Sequence, residues 1–146
     1  MKDFMQHPIV KGYIRANNFG VLLGMEFTIL NPGEIVYSMK ITEKHLATPV
    51  AAHGGCISAL MDATMGVCAL SEVLQQDKVV STLELKISYI APALLGDLVH
   101  ATARIVKSGH RILFVEGEIR NQRKELIAVA SGTFNAYPME KAGFQK

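Results

Sequence analysis

The chain has 146 residues, 49% of them apolar, and a formal charge of +2, enough apolar matter for one domain with its own core. Lys and Arg are spread along it without a basic block, Trp is absent and aromatics make up 7%, so neither the charge footprint nor the stacking platform of a nucleic-acid binder is expected. No run of eighteen apolar residues is unbroken, because the nearest approach, Gly54 to Ser71, contains Asp62 and small polar residues; no membrane partner is expected.

At the N-terminus, MKDFMQHPIVKGYIRANN puts Asp3, Lys11 and Arg15 where a secretory signal needs apolar residues. Pro8 starts a short helix over about residues 8–17, with Ile9, Tyr13 and Ile14 on one face. GMEFTILNPGEIVYSMKIT then reads as two strands around an Asn31-Pro32-Gly33 turn. From Gly54 to Glu72 nearly every position is apolar or small, which predicts a long helix, greasy all round, that sheet or partner must wrap. Cys56 and Cys68 lie twelve residues apart on it, about 18 Å along the axis. That is too far for a disulfide, and reduced thiols point to a cytoplasmic protein.

After the polar joint QQDK comes STLELKISYIAP, where Leu83, Leu85, Ile87 and Tyr89 alternate with Thr82, Glu84, Lys86 and Ser88. This predicts a strand with one buried face. DLVHATARIVK, RILFVEGEIR and LIAVASGTFNAY follow, joined by the Ser108-Gly109 turn and the NQRK turn. Consecutive strands of this kind are most simply an antiparallel meander. One long helix with a curved antiparallel sheet wrapped around it is an α+β layout, a single domain over residues 1–146.

Asp62 is the only formal charge from Leu46 through Ser71. Burying an unpaired carboxylate is expensive, so Asp62 is either a structural hydrogen-bonder, capped by Ser58 or Thr64 or set in a subunit interface, or a general base or nucleophile in a dry pocket. Gly54 and Gly55, after His53, leave backbone N–H groups open at the positive end of the helix dipole, where an oxyanion would be held. The alternative is a glycine-rich helix start packed tightly on a strand. Gly54 and Asp62 are eight residues apart, about 12 Å along the axis. Both reach one carbonyl only if Asp62 of one subunit faces the helix start of another, as antiparallel helices about a two-fold axis would arrange.

The pattern His53-Gly54-Gly55 with Asp62 eight positions after the first glycine, together with TLELKISYIAPALLGD, resembles the hotdog-fold acyl-CoA thioesterases of the phenylacetate-degradation type. The likeness runs from about Asn18 to Tyr137. It implies a hotdog fold, a homodimer with a continuous sheet that often pairs into a homotetramer, and hydrolysis of an acyl-CoA thioester. By position, Gly54 is the implied oxyanion donor, Asp62 the implied base or nucleophile, Thr82 the implied holder of the attacking water, and His53 a residue shaping the helix start beside the thioester. Family members frequently have Asn six residues before that histidine; in ATPVAAHGG that place is Ala47, and Thr48 is the nearby substitute.

Other chemistries remain open. Cys56 in the first helical turn with His53 three residues away is a possible nucleophile and base, and acyl-CoA dehydration is a further option on such a fold. A non-catalytic module that binds acyl-CoA is the alternative from another class. Gly55, Met61 and Met65 are the expected substrate contacts, the two methionines lining an adaptable apolar pocket. Lys107 and Arg111 at the turn RIVKSGHR, with Arg104 and His110 nearby, are the expected phosphate contacts, unless they are only a solvated edge; Arg120, Arg123 and Lys124 form a second basic turn. The five histidines and two cysteines show no metal-ligand spacing, and no phosphate loop is present. No metal and no cofactor are expected; coenzyme A is part of the substrate.

Overall fold

A computed structural model describes residues 3–144. His7 caps the first helix, α1 (Pro8–Ala16), its Nδ1 accepting from the Ile9 N–H at 3.3 Å, and Pro8 fills the first helical position, where a missing N–H costs nothing. The helix ends where expected. It buries Ile9 and Val10, while Ile14 stays 43% exposed. Asn17 then starts a second helix, α2 (Asn18–Leu23), its Oδ1 accepting from the Gly20 N–H at 3.1 Å. The sequence pattern did not announce α2, because six residues are too few to show a helical period.

The remaining elements are β1 (Met25–Asn31), β2 (Glu34–Lys40), α3 (Gly54–Val73), β3 (Lys78–Tyr89), β4 (Leu98–Ser108), β5 (Ile112–Arg120) and β6 (Leu126–Pro138). They form one six-stranded sheet in the order β1-β2-β4-β5-β6-β3, antiparallel at every pairing. Strands β4, β5 and β6 make the expected meander, but β3 is not its first member. It pairs with β6 at the far edge of the sheet, and β2 takes the place beside β4. The helix dictates this. Four strand spacings of about 4.8 Å separate β2 from β3, and α3, about 30 Å long, carries the chain across the face between them.

Leu60, Met61, Met65 and Cys68 of α3 are fully buried under the sheet. Glycines let the two layers touch: a Cβ on Gly117 would lie 2.8 Å from Met61 Sδ, and one on Gly132 would lie 2.5 Å from Met65 Cε. Gly54–Gln76 is long and apolar enough to cross a bilayer, yet 67% of its apolar window is buried inside the domain. The helix is not covered all round. Gly55 is exposed, and Ser58, Ala59, Asp62, Ala63 and Gly66 are only half-buried, so a face of small residues stays open. Both cysteines are free and buried; burial, with the Glu72 charge adding to it, pushes the Cys68 thiol up to about 12.

After β3 the chain returns across the end of the sheet through residues 90–97 and pins the loop that leads into α3. Ala52 N–H donates to Ala93 O at 2.9 Å, Leu95 N–H to Val50 O at 2.8 Å, and Gly96 N–H to Ile41 O at 2.9 Å. Asp97 anchors this return. It is buried, and it accepts from Leu94 N–H and Gln122 Nε2, both at 2.9 Å, and from Arg123 Nη1 at 3.3 Å. Burial pushes its carboxyl pKa up, but these donors and the Arg123 charge outweigh burial and hold it below the ordinary range. A lowered carboxylate contributes stability that is present above its unfolded pKa and lost as pH falls through the folded one. Asp97→Asn is therefore expected to cost about 1–3 kcal/mol at pH 7 in urea denaturation, with the gap to wild type closing below about pH 4.

Candidate active site

The start of α3 is built by two histidines. His45 is buried; Thr42 N–H donates to its Nδ1 at 2.9 Å, so its Nε2 carries the hydrogen shared with Leu23 O at 2.8 Å. Its carbonyl accepts the His53 N–H at 2.7 Å, which sets the angle at which the chain turns into the helix. His53 caps the helix with its ring, Nδ1 accepting from the Gly55 N–H at 2.7 Å. The Gly55 N–H is thus taken inside the chain, while Gly55 itself stays exposed at the helix start. Among the described residues, the Gly54 N–H has no partner, and it stands at the positive end of a 20-residue helix.

Tyr89, from the end of β3, closes the other side of Gly54. Its hydroxyl donates to Gly54 O at 3.0 Å, and a Cβ at position 54 would meet its ring at 3.2 Å. Cys56 lies beneath, its Sγ donating to His53 O at 3.0 Å. Burial raises its thiol pKa against the opposing backbone hydrogen bonds, and His53 Nδ1 is taken by the Gly55 N–H; neither favours the nucleophile and base considered above. Thr48 closes its own turn, its Oγ1 accepting from Ala51 N–H at 3.0 Å and Val50 N–H at 3.4 Å.

Two turns along α3, Asp62 finds its donor across the interlayer gap: Thr82 Oγ1 donates to Asp62 Oδ1 at 2.7 Å. Strict alternation with Leu83 would have turned Thr82 away from the helix. A bulge resolves this. Thr82 pairs with the fully buried Phe134, Glu84 and Leu85 pair with Thr133 and Gly132, and Leu83 is the extra residue, 59% exposed. Thr82, Leu85 and Ile87 then share the face toward α3. Asp62 and Thr82 sit on the wall of a mostly apolar cavity of about 190 Å3, whose lining includes Tyr13, Gly66, Leu70 and Phe144. Burial raises the Tyr13 phenol pKa, its hydrogen bond with Tyr37 at 3.3 Å opposes the rise, and the Asp62 charge adds to it. Met61 and Met65 are not on this wall; they point the other way, under Gly117 and Gly132, because they lie on the face of α3 that packs on the sheet.

A helix start with one open N–H, and a half-buried carboxylate held by a hydroxyl at a cavity two turns on, is equipment for carbonyl chemistry. The family model of the thioesterase superfamily matches residues 51–128, more than half of the chain. The chain belongs to the thioesterase superfamily. The thioesterase is 28% identical over 116 residues to acyl-coenzyme A thioesterase 13 of Homo sapiens, covering 78% of this chain and 81% of the relative. It is 26% identical over 110 residues to acyl-coenzyme A thioesterase PaaI of Escherichia coli, covering 75% and 76%. The solved E. coli PaaI protein, from the phenylacetic acid degradation operon, superposes with a TM-score of 0.80 at 21% identity, covering 87% of this chain and 89% of that one. The protein smu.793 of Streptococcus mutans, solved bound to acetyl CoA, gives 0.71 at 25% identity, covering 78% and 89%. The fold is the expected hotdog, the likeness to the phenylacetate-degradation type is found, and the chain is a thioester hydrolase.

Within one chain of the thioesterase the expected phosphate contacts stand apart from Gly54. Lys78, just beyond the C-terminal end of α3, donates to His110 O at 3.3 Å, and Arg111 donates to Asn135 Oδ1 at 3.4 Å. The β4–β5 tip with Lys107 and Arg111 therefore lies at the opposite end of the helix from its N-terminus. At the other basic turn, Arg120 pairs with Glu118 at 2.7 Å and Arg123 with Glu125 at 2.9 Å and Asp97 at 3.3 Å. Tyr13 and Tyr89 were missing from the site as read from sequence. Tyr89 continues the Leu85–Ile87 alternation to the end of its strand, which was the available signal for its place at Gly54. Thr82→Val removes the hydroxyl that orients Asp62; a hydrogen bond to a charged group of about 1.5–3 kcal/mol corresponds to roughly a 10–100-fold loss in turnover. CoA-thiol release should show that loss, with Thr82→Ser retaining most of the activity.

Proposed function

We propose that this thioesterase hydrolyses acyl-CoA thioesters in a site shared between two subunits, Asp62 of one chain acting with the Gly54 N–H of its partner. The observation that carries the proposal is the spacing: the carboxylate and the open N–H lie two helical turns apart on one rigid helix, so no single chain aims both at one carbonyl. The edge strand β3 supports self-association. It runs for twelve residues with Ser81, Thr82, Leu83, Glu84 and Lys86 exposed, and its outer backbone groups await a neighbour. A two-fold axis beside β3 would join two sheets into one and set the α3 helices antiparallel. Gly54 then meets Asp62 of the partner when the axis passes near Ser58, midway between them, where Gly55, Ser58 and Ala59 leave room for close approach.

In that arrangement the thioester carbonyl oxygen accepts from the Gly54 N–H, whose alignment with the helix dipole favours the charge that forms there. Thr82 holds one carboxylate oxygen of Asp62. The other takes the proton of a water that attacks the carbonyl carbon, or itself attacks to give an anhydride that water opens. The C–S bond breaks, the acid and CoA leave, and no metal or cofactor enters. His53 serves by capping the helix and leaving Gly54 open. The two unpaired thiols fit a reducing compartment, and we place the enzyme in the cytoplasm as a homodimer or homotetramer.

A thiol-release assay over short, medium, long-chain and aryl CoA esters tests this. Loss of the base lowers turnover by about two to four orders of magnitude, so Asp62→Asn should be nearly inactive while Cys56→Ala retains activity. CoA-ester binding without cleavage by the wild type would make the protein a binding module instead. Sedimentation should show no active monomer.

A further inference from the structure

A hydroxyl carries one hydrogen, and that of Thr82 goes to Asp62 Oδ1, so Thr82 cannot also donate to a water beside the carboxylate. A second hydroxyl-bearing side chain lines the same cavity. Tyr13 of α1 stands there with Asp62 and Thr82, near enough for the Asp62 charge to act on its phenol. Its ring is fixed by aromatic neighbours: Phe27 of β1 stacks on Tyr37 of β2 with centroids 4.9 Å apart and meets Tyr13 edge-on at 5.9 Å. The Tyr13 and Tyr37 hydroxyl oxygens lie 3.3 Å apart.

What lies behind Tyr37 sets the direction of that hydrogen bond. Tyr37 is fully buried, so its hydroxyl hydrogen needs an acceptor inside the protein. Burial raises its phenol pKa, the Tyr13 phenol adds to the rise, and the Asn17 side chain opposes it, as a hydrogen-bond donor does. Asn17 Oδ1 is already taken by the Gly20 N–H at 3.1 Å, which leaves the Nδ2 hydrogens for Tyr37. Tyr37 therefore receives from Asn17 and donates to Tyr13, and Tyr13 keeps its own hydrogen for the cavity. Resting on the thioesterase function above, we propose that Tyr13 donates this hydrogen to the water that Asp62 of the same chain activates. The water then accepts from Tyr13, gives one proton to the carboxylate oxygen that Thr82 leaves free, and turns its remaining lone pair toward the thioester carbon. Burial, with the Asp62 charge adding to it against the Tyr37 hydrogen bond, raises the Tyr13 pKa, so the phenol stays a donor throughout.

Tyr13→Phe keeps the ring and its contact with Phe27 and removes only the hydroxyl. With the CoA ester that the wild type cleaves fastest, kcat should fall roughly tenfold, while KM stays within about a factor of two because the substrate loses no contact. The same change leaves the buried Tyr37 hydroxyl without an acceptor and should lower the melting temperature by a few degrees. The double variant Tyr13→Phe/Tyr37→Phe separates the two effects: free of that orphaned hydroxyl, it should melt closer to the wild type and yet stay as slow as Tyr13→Phe. Tyr37→Phe alone, which keeps the Tyr13 hydrogen, should cost about threefold or less in kcat. A double variant whose turnover returns with its melting temperature would overturn the proposal, as would a Tyr13→Phe loss confined to KM. An inactive Asp62→Asn beside a fully active Tyr13→Phe overturns the proposal alone, whereas an active Asp62→Asn overturns the catalytic assignment of Asp62 and the proposal with it.

Discussion

A straight helix holds its residues at fixed separations, and in this protein that rigidity governs everything built around α3. The Gly54 N–H and the Asp62 carboxylate are kept about 12 Å apart along the axis, while the buried face with Leu60, Met61 and Met65 fastens the helix to the sheet. Neither group can slide toward the other without undoing that packing. The helix thus presents two separated groups: an N–H at its start, and a carboxylate beside a cavity in its middle. In the proposed dimer, a two-fold partner would turn this separation into proximity.

The supporting structure divides along the same line. At the helix start, the buried His45, the capping His53 and the Tyr89 hydroxyl fix the backbone so that Gly54 alone of the two glycines keeps its donor open. At the middle, a bulge in β3 turns Thr82 onto Asp62 and pushes Leu83 outward. Residues 90–97, held by Asp97, link the end of β3 to the loop before α3, so the two regions are braced against each other within the chain.

Much of this was legible in the sequence because it rests on local chemistry. The lone charge at Asp62, the His-Gly-Gly start and the period-two strands are direct consequences of burial cost, capping and pleat. What escaped depends on long-range geometry. Alternation says which face of β3 is apolar but not which strand lies beside it, so its edge position came only with the fold. The bulge at Leu83 breaks the alternation that placed Thr82, and nothing in STLELKISY announces it. Met61 and Met65 were credited to the pocket because a helix apolar on every side does not reveal which apolar face meets the sheet. The cavity lining unites residues 13 and 144, a pairing no local pattern contains.

The central claim is that each site draws on two chains, and mixed subunits test it directly. Gly54→Pro deletes the N–H at the first helical position, where the backbone accepts proline, with the Tyr89 ring giving way by a few tenths of an ångström to the added carbons; Asp62→Asn deletes the proposed base. Each variant alone should be nearly inactive. When the two are unfolded together and reassembled in equal amounts, half of the dimers are hybrids, and each hybrid holds one intact Asp62–Gly54 site of two, so about a quarter of wild-type turnover should return. Hybrids that form, as native mass spectrometry would show, and yet stay as inactive as their parents would contradict a shared site.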